Sequence, residues 1–194
     1  NHMHFPVAKT FLEHGIHVVS DKPMSFNLAQ AQEEVALVES KNLVFALTHN
    51  YTGYPVVRHA RQLVRDGALG EIRKVLVEYV QDWLMDAQET EGNKQAEWRT
   101  DPNRSGIAGS VGDIGTHAAN LLEFITDLKI SSLNADLTTF VKGRQLDDDA
   151  NMLLRLENGG KGFLTCSQIA AGEENNLTIR IYGTKAGLEW HQME

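Results

Sequence analysis

The spacing of apolar residues over the first third of the chain predicts alternating helices and short strands. Residues 5–14 place apolar side chains three and four positions apart, which indicates a helix. Residues 16–20 and 43–47 are short apolar runs of the kind found in buried parallel strands. Between them, Asn27 is a suitable N-cap for a second helix. The apolar stripe of that helix is Leu28, Ala31, Val35 and Val38. Two strands joined by a helix predict a βαβ unit with a parallel sheet.

The pattern changes after Pro55, where a helix stopped by Gly67 and a long strand at 71–81 are predicted. The polar stretch over residues 83–110 is too long for an idle connection, so we expect it to be functional. A further helix is predicted over about 113–126. Strands are then predicted at about 132–142, 149–157, 161–171, 176–183 and 187–191.

The order of these elements predicts two units of different class. Asn158-Gly159-Gly160 separates two of the late strands and is a strong hairpin signal. Strands that follow helices indicate an α+β domain attached to the α/β piece. We therefore expect an α/β portion in residues 1–50 and an α+β domain in residues 51–194. The second domain is expected to have an open, mainly antiparallel sheet covered by helices.

Composition narrows the functional classes. The 194 residues carry a formal net charge of −8 with acids and bases interspersed, so neither nucleic acid nor membrane is expected as a partner. No apolar run approaches the roughly 20 residues needed to span a bilayer. The single cysteine, Cys166, lies in an apolar alternation and is expected to be a buried, inert thiol. A reducing cytosol suits one free thiol, so a cytoplasmic location is expected.

Residues 112–117, which read Gly-Asp-Ile-Gly-Thr-His, are the sharpest local signal of chemistry. Asp113 and His117 are four positions apart at a helix start and therefore share one face, which Asn120 extends. The preceding glycines are expected to let the backbone approach a ligand closely. Three interpretations stay open for the pair: an N-cap beside a solvated histidine, a metal site with His49 as third ligand, or a proton-transfer pair. No further His/Cys cluster has ligand spacing, and no metal is expected.

Residues 21–23, Asp-Lys-Pro, are a second signal because they directly follow a predicted strand. In an open parallel sheet, ligands bind beyond the carboxyl ends of the strands, so Lys22 stands at the usual position of a site. The proline also holds Lys22 in an extended conformation. A lone lysine after a strand is, however, most often simply solvated.

The set of motifs is more specific than any one of them. Asp-Lys-Pro after a strand, then His49-Asn50-Tyr51, Trp98-Arg99 and a Gly-rich Asp-x-Gly-x-His helix resemble, in this order, the glucose–fructose oxidoreductase / inositol dehydrogenase (Gfo/Idh/MocA) family. Lys22 matches the lysine of the family's acidic-Lys-Pro motif, with Asp21 where Glu is commoner. Asn120 stands where the family often has Asp. The opening Asn-x-x-His is similar to the family's turn beside the nicotinamide ribose, which favours native sequence there over a vector scar.

The resemblance implies a fold and a reaction. It implies the C-terminal part of a Rossmann-like, dinucleotide-binding sheet in residues 1–50 and a substrate-binding and oligomerisation domain in residues 51–194. It implies NAD or NADP as cofactor, and hydride transfer between the nicotinamide and a secondary hydroxyl of a cyclic sugar or polyol. His117 is implied as general base, Lys22 as the group that holds the reacting oxygen, and Asp113 as a substrate ligand that also orients the imidazole.

The residues implied at the site fall into three overlapping sets. The catalytic set is Lys22, Asp113 and His117. The cofactor-binding set is Asn1, His4, Asp21, Lys22, Pro23, Trp98 and Arg99. The substrate-binding set is Lys22, Asn50, Tyr51, Asp113 and His117.

Parts of the family pattern are missing from the chain. The Gly-x-Gly-x-x-Gly loop is not found, so we expect an internal fragment with this loop upstream of Asn1 and a C-terminal domain that is incomplete. Residues 98–102 and 182–191 are similar to the branch of the family that acts on levoglucosan and inositol-like polyols. Alone, the fragment is expected to bind a dinucleotide weakly or not at all.

The resemblance also implies assembly and leaves two other functions open. A homo-oligomer, dimer or tetramer, is expected through the antiparallel sheet, whose apolar content is predicted on both faces and includes Val75, Val77 and Tyr79. Some similar proteins use the nicotinamide transiently to cleave glycosidic bonds, so an NAD-dependent glycosidase is one alternative. A non-catalytic sugar-binding or assembly module is the other.

Overall fold

A computed structural model describes residues 1–193 of the chain. The first part contains a pair of parallel strands in which Val18 lies beside Phe45 and Ser20 beside Leu47. The Asn27 side chain accepts a hydrogen bond from the Gln30 backbone N–H at 3.0 Å, as a helix N-cap should. The elements of this part are α1 (His4–Glu13), β1 (Val18–Ser20), α2 (Leu28–Ser40) and β2 (Phe45–Leu47). The predicted βαβ unit is therefore confirmed.

The second part, as far as residue 193, is built on a six-stranded sheet in the order β4-β5-β6-β3-β7-β8. β3 and β6 are parallel, and the other neighbouring strands are antiparallel. Its strands are β3 (Ile72–Val80), β4 (Ile130–Thr138), β5 (Asp149–Leu156), β6 (Lys161–Ser167), β7 (Asn176–Gly183) and β8 (Gly187–His191). Its helices are α3 (Pro55–Arg65), α4 (Lys94–Arg99), α5 (Pro102–Ser105) and α6 (Thr116–Thr126). The predicted class, α/β followed by a mainly antiparallel α+β domain, is confirmed.

One face of this sheet forms the core. Val75, Val77 and Tyr79 of β3 are buried in one hydrophobic cluster with Leu121 and Ile125 of α6. Deep burial of several large aliphatic side chains is the main favourable term in folding a domain of this size. Cys166 is fully buried in the same cluster, as predicted. Burial raises the pKa of its thiol to about 12, which makes it unreactive near neutrality.

The predicted apolar positions are not all on covered faces. Val75, Val77 and Tyr79 lie together on the core face because alternate residues of a strand point to the same side. The other face carries a short apolar row in which Leu76 pairs with Phe163 and Phe163 pairs with Leu153. Leu153 is 60% exposed. The prediction of apolar content on both faces is correct, but these three β3 residues do not supply the outer face.

The stripe predicted on α2 is not buried among the described residues. Leu28 is 73% exposed and Val35 is 44% exposed, whereas Glu34 is fully buried. Helix α2 packs on α1 and on the loop after β1 through the face that carries Glu34. There the Ser25 hydroxyl donates to the Glu34 carboxylate at 2.8 Å. Burial raises the pKa of Glu34, and the hydrogen bond from Ser25 opposes that shift.

Two predicted boundaries are displaced because carboxylates take backbone N–H groups that would otherwise continue an element. β4 ends at Thr138 rather than near 142, since Asp148 accepts from the N–H groups of Phe140 and Val141 at 2.8 and 3.0 Å. The helix predicted from 113 begins earlier, as a π-helical turn, Val111–Gly115, that leads into α6. The Asp147 carboxylate fixes this turn by accepting from Gly109 N–H, the Ser110 hydroxyl and Val111 N–H.

The long polar stretch is ordered against the sheet domain. The Arg144 guanidinium is 1% exposed, donates to Glu89 and Asp148, and donates to the carbonyl of Leu84. A buried guanidinium is tolerated only when its donors are used in this way. Arg144 therefore anchors the segment that carries Trp83. None of the helices in residues 1–193 combines the length and apolar character that a membrane span requires.

Candidate active site

The loop after β1 carries Lys22 and is held in a defined conformation. The Asp21 carboxylate accepts from the Thr48 hydroxyl and from the Lys22 backbone N–H, each at 2.8 Å. Burial opposes ionisation of Asp21, but these hydrogen bonds and the charge of Lys22 lower its pKa. The Lys22–Pro23 peptide bond is cis, and the Pro23 carbonyl bonds the His4 ring at 2.6 Å. The ends of β1 and β2 are thereby fixed together.

The Lys22 ammonium reaches across to the second domain. It donates to the Asp113 carboxylate at 2.7 Å and to the Asp113 backbone carbonyl at 2.6 Å. The two side chains are 15% and 16% exposed, so the pair is largely shielded from water. A shielded ion pair with this geometry holds both partners in one position.

The second carboxylate oxygen of Asp113 is also occupied. Arg99 Nε donates to it at 3.1 Å and Gln168 Nε2 at 2.9 Å. Burial opposes ionisation, but the charges of Lys22 and Arg99 outweigh it and lower the pKa of Asp113. The Arg99 guanidinium in turn stacks on the Trp98 ring, 4.2 Å from its centroid.

His117 is 7% exposed and lies among aromatic rings. Its ring centroid is 4.8 Å from that of Tyr51 and 5.4 Å from that of His49, both in edge-on geometry. Burial, with the nearby charges of Lys22 and His49, lowers the pKa of His117 to about 4. The imidazole is therefore neutral at pH 7 and keeps one nitrogen able to accept a proton.

The expected orientation of the imidazole by Asp113 does not take the form of a direct hydrogen bond. Among residues 1–193 no hydrogen bond joins Asp113 to the His117 ring, because the Asp113 oxygens are taken by Lys22, Arg99 and Gln168. The ring is held by packing against Tyr51 and His49 instead.

Two cavities meet at these residues. The first, of about 240 Å³, contains most of the predicted cofactor contacts and is lined by Asn1, His2, His4, Asp21, Lys22, Trp98, Arg99, Arg104 and Asp113. The second, of about 290 Å³, contains the predicted catalytic residues and is lined by Lys22, Tyr51, Tyr79, Gln81, Trp83, Arg99, Asp113, Ile114, His117 and Asn175. Lys22, Arg99 and Asp113 belong to both linings and form the wall between the cavities.

The lining of the first cavity fits the nicotinamide end of a dinucleotide. Trp98 offers a flat aromatic surface for a ring, and Arg104 supplies positive charge suited to phosphate, while Lys22 and Arg99 are paired with the Asp113 carboxylate. The Asn1 side chain donates to the Ser105 carbonyl at 2.7 Å, which fixes the start of the chain against α5 at the edge of this cavity.

The structure does not bring every predicted residue to the cavities. Asn50 starts a 3₁₀ turn, Asn50–Gly53, is exposed, and lines neither cavity, because His49 turns inward at this point. Pro23 also lines neither of the two cavities. Its carbonyl oxygen is hydrogen-bonded to the His4 ring. Asp113, His117 and His49 do not form a metal-binding cluster. Residues 1–193 contain no group of three or more His, Cys, Asp or Glu side chains placed to hold a metal ion.

Two glycines on either side of Asp113 pack closely against other parts of the protein. A Cβ on Gly109 would lie 2.1 Å from the Asp147 carbonyl oxygen, and one on Gly115 would lie 3.0 Å from Cys166 Sγ. These close approaches seat the π-helical turn on the sheet. For Gly112, where a Cβ would meet only Ala108 at 3.4 Å, the expected close approach of the backbone to a ligand stays a prediction.

Several residues of the site were missed from the sequence. They are Arg104 in the first cavity, Tyr79, Gln81, Trp83 and Asn175 in the second, and Gln168 on Asp113. Gln81 and Gln168 directly follow β3 and β6, which are parallel and end at the same edge of the sheet. The sequence held no signal for these two residues, because the predicted strands 71–81 and 161–171 included both glutamines, whereas β3 ends at Val80 and β6 at Ser167.

Both parts of the chain match known protein families. Residues 57–189 match the family model described as GFO/IDH/MocA C-terminal domain, and residues 1–62 match the oxidoreductase family, NAD-binding Rossmann fold. The chain is 33% identical over 192 residues to the uncharacterized oxidoreductase YfiI of Bacillus subtilis (strain 168), covering 98% of this chain and 49% of that protein. It is 27% identical over 211 residues to levoglucosan dehydrogenase of Pseudarthrobacter phenanthrenivorans, covering 97% and 52%.

A solved structure gives the same fold. The inositol dehydrogenase homologue from Azotobacter vinelandii, complexed with NAD⁺, superposes with a TM-score of 0.93 at 34% identity, over 98% of this chain and 49% of that one. The chain thus spans about half the length of the curated relatives it matches. The expected nicotinamide dinucleotide is confirmed at the level of the family. Since the matching domains cover nearly all of its residues, this protein belongs to the Gfo/Idh/MocA family of oxidoreductases.

Proposed function

We propose that the complete natural protein containing this chain transfers a hydride between NAD or NADP and a secondary hydroxyl of a cyclic sugar or polyol. One observation carries the proposal: the Lys22 amine and the His117 imidazole line one cavity, beside the cavity whose lining suits nicotinamide. The names of two relatives, an inositol dehydrogenase homologue and a levoglucosan dehydrogenase, support the substrate class.

The proposed roles follow from protonation and contact. His117 is neutral, so it accepts the hydroxyl proton as the C–H hydride leaves the same carbon and the carbonyl forms. Lys22 donates a hydrogen bond to the substrate oxygen and stabilises its developing negative charge. When bound, the nicotinamide supplies the hydride acceptor. Its ring would rest near Trp98 and Arg99, next to the wall that the two cavities share.

Asp113 has a different role from the one that the resemblance implied. Its carboxylate and carbonyl hold the Lys22 ammonium, and Arg99 and Gln168 hold the carboxylate. We therefore assign Asp113 to positioning Lys22 and balancing its charge, while Tyr51 and His49 position the His117 ring.

The remaining expectations about the whole protein are kept as proposals. The domain boundary expected near residue 50 stays a prediction; the two family models overlap over residues 57–62. The choice between NAD and NADP, the homo-oligomer and the cytoplasmic location stay predictions.

The test replaces Lys22→Met and His117→Gln in the complete natural protein. Each variant should lose about 10²–10⁴-fold in kcat, because each removes one group from the chemical step, while the Kd for the dinucleotide changes only a few-fold. Turnover of myo-inositol and levoglucosan is followed by NADH or NADPH absorbance, and Kd by titration calorimetry. Lys142→Met, at an exposed lysine in the turn before β5, is the matched control.

Normal turnover in either site variant would end this assignment. Release of sugar from a glycoside without net accumulation of reduced cofactor would indicate the glycosidase alternative. An inactive wild-type protein that still binds polyols would indicate the binding-module alternative.

A further inference from the structure

A chain of hydrogen bonds runs along the wall of the second cavity. It joins five side chains that all line this cavity: Tyr51, Tyr79, Asn175, Gln81 and Trp83. None of them except Tyr51 is used by the proposed reaction. The direction of each hydrogen bond can be worked out from the chemistry of the two ends.

The Trp83 end sets the orientation of the two amides. An indole N–H can only donate, and Trp83 Nε1 lies 3.0 Å from Gln81 Oε1, so the Gln81 oxygen must face Trp83. Gln81 Nε2 therefore faces Asn175 and donates to its Oδ1 at 2.7 Å. With its oxygen turned to Gln81, Asn175 directs its NH₂ group away from this contact.

The orientation of Asn175 also fixes the directions in which the two tyrosine hydroxyls donate. Tyr79 donates its one hydroxyl hydrogen to Asn175 Oδ1 at 2.7 Å, because that oxygen can only accept. In the short contact between the two tyrosines, Tyr51 must then be the donor. The Tyr51 hydrogen is thus used within the protein, and its oxygen keeps a lone pair for a further partner.

Two groups in this row of hydrogen-bonded side chains can still form a hydrogen bond with a ligand. Within residues 1–193, Asn175 Nδ2 has no hydrogen-bond partner, and the Tyr51 hydroxyl has none besides Tyr79. Both side chains line the cavity that also holds His117 and Lys22. The cavity therefore offers one fixed acceptor and one fixed donor beside the groups proposed to act on the reacting hydroxyl.

We infer that this cavity selects polyols by polarity: Tyr51 accepts a hydrogen bond from one additional substrate hydroxyl, and Asn175 donates one to a second substrate oxygen. This inference rests on the proposed function and narrows its substrate class. The substrate carries, besides the reacting alcohol, one hydroxyl whose hydrogen is required and one oxygen whose lone pair is required. Gln81, Trp83 and Tyr79 act as positioning residues: they fix the orientation of the Asn175 amide and of the Tyr51 hydroxyl.

Fluorine separates the two requirements. A C–F group cannot donate a hydrogen bond but accepts one weakly, whereas a C–H group does neither. At the substrate position that faces Tyr51, deoxyfluoro and deoxy analogues should lose kcat/KM equally, by about 10–100-fold, because the lost hydrogen bond leaves a buried acceptor unpaired. At the position that faces Asn175, the deoxyfluoro analogue should retain several-fold more activity than the deoxy analogue.

The experiment scans deoxy and deoxyfluoro analogues of myo-inositol and levoglucosan at each non-reacting position, using the complete natural protein. Wild type is compared with Asn175→Asp and Tyr51→Phe, after thermal melting has shown that each variant is folded. Asn175→Asp conserves volume and still accepts from Tyr79 and Gln81, but it presents an oxygen to the cavity in place of the NH₂ donor. At one substrate position, this variant should lower the ratio of kcat/KM for the deoxyfluoro analogue to kcat/KM for the parent polyol at least tenfold relative to wild type.

Tyr51→Phe gives an independent result. The loss of kcat/KM from this substitution and the loss from removing a substrate hydroxyl should be non-additive at one substrate position, because there both changes remove the same hydrogen bond. At the other positions the two losses should be additive. Ratios between analogues on one variant cancel any general effect on the reaction rate. If Asn175→Asp fails to fold, Trp83→Phe replaces it: without the indole donor Gln81 can turn over, and the fluoro-to-deoxy preference should fall toward one.

Each outcome bears on a separate claim. Turnover by wild type with analogue ratios unchanged in the variants would overturn the polarity inference and leave the proposed function standing. If wild type turns over no polyol, the proposed function fails. The same ratios are then measured as Kd by calorimetry, where absence of polyol binding overturns the inference and a variant-dependent ratio supports it.

Discussion

At the scale of single residues, the environment of His117 determines which proton state the folded chain can hold. Burial and the neighbouring ammonium of Lys22 lower its pKa from the ordinary 6.5 to about 4. In the unfolded chain, the imidazole returns to its ordinary pKa. Between these two values the unfolded state binds a proton that the folded state does not bind, so acidification favours unfolding.

This difference predicts the pH dependence of stability. As pH falls from 6.5 to 4, His117 should lower the free energy of unfolding by up to about 3 kcal/mol, and above 6.5 it should have no effect. His117→Gln should remove that part of the slope. Urea denaturation of the chain from pH 7.5 to pH 4 measures it, with His59→Gln at an exposed position of α3 as control. Parallel curves for wild type and His117→Gln would contradict the prediction.

At the scale of elements, the π-helical turn before α6 decides where Asp113 and His117 lie. Its start is fixed by three hydrogen bonds to the Asp147 carboxylate. Gly109 is packed against the backbone of the same residue, so the turn has no room to shift on that side. The position of the candidate catalytic pair therefore depends on a contact with the loop before β5.

Gly109, which lies just before this turn, and Gly112, which lies within it, test that dependence. Gly109→Ala should destabilise the chain by more than about 2 kcal/mol, because its Cβ would overlap the Asp147 carbonyl. Gly112→Ala should change stability by less than about 1 kcal/mol, since the nearest atom to its Cβ, on Ala108, is at an ordinary 3.4 Å. Urea denaturation of both variants gives the comparison. Equal stability of the two would show that the turn relaxes around Asp147.

Most elements were predictable because their signals are local. Apolar spacing located the helices and strands, and Asn158-Gly159-Gly160 marked the β5–β6 hairpin, where Gly159 has φ +83°. The strand order was not predictable, because β3 and β6 pair in parallel across more than 80 residues of intervening chain. The ends of β4 and the start of the π-helical turn depend on Asp148 and Asp147, whose contacts carry no periodic signal.

The same division applies to the site. Lys22, Asp113 and His117 were found because they stand in short motifs at the ends of elements. Tyr79 and Asn175 were not found, because they meet only through the pairing of β3 with β7. The partner of Asp113 was misjudged for a similar reason. Sequence spacing placed His117 next to it, while the fold places Lys22 there from 91 residues away.

At the scale of the whole molecule, the outer face of the six-stranded sheet has an apolar row with polar borders. Leu153, Phe163 and Leu76 run across three adjacent strands and continue to Arg180 on the fourth. Solvent-facing sheet surfaces of this kind are suited to pairing with another subunit. The row is the part of the described chain that best fits the expected homo-oligomer.

A charge on this row should disrupt that assembly. Leu153→Lys in the complete natural protein should shift the molar mass from oligomer toward monomer, because it would bury an unpaired ammonium at the interface. Its effect on the stability of the monomer should be small, as Leu153 is already 60% exposed. Light scattering after size exclusion measures the mass, with Val56→Lys, 61% exposed on α3, as control. A monomeric wild type would contradict the expectation.

The wall shared by the two cavities has a thermodynamic consequence. Lys22, Arg99 and Asp113 touch whatever enters on either side, so a ligand that adjusts them on one side alters the free energy of binding on the other. Linkage requires the effect to be mutual: if dinucleotide tightens polyol binding by some factor, polyol tightens dinucleotide binding by the same factor. Cooperative binding of the two ligands would then originate in three side chains, with no need for movement of either domain.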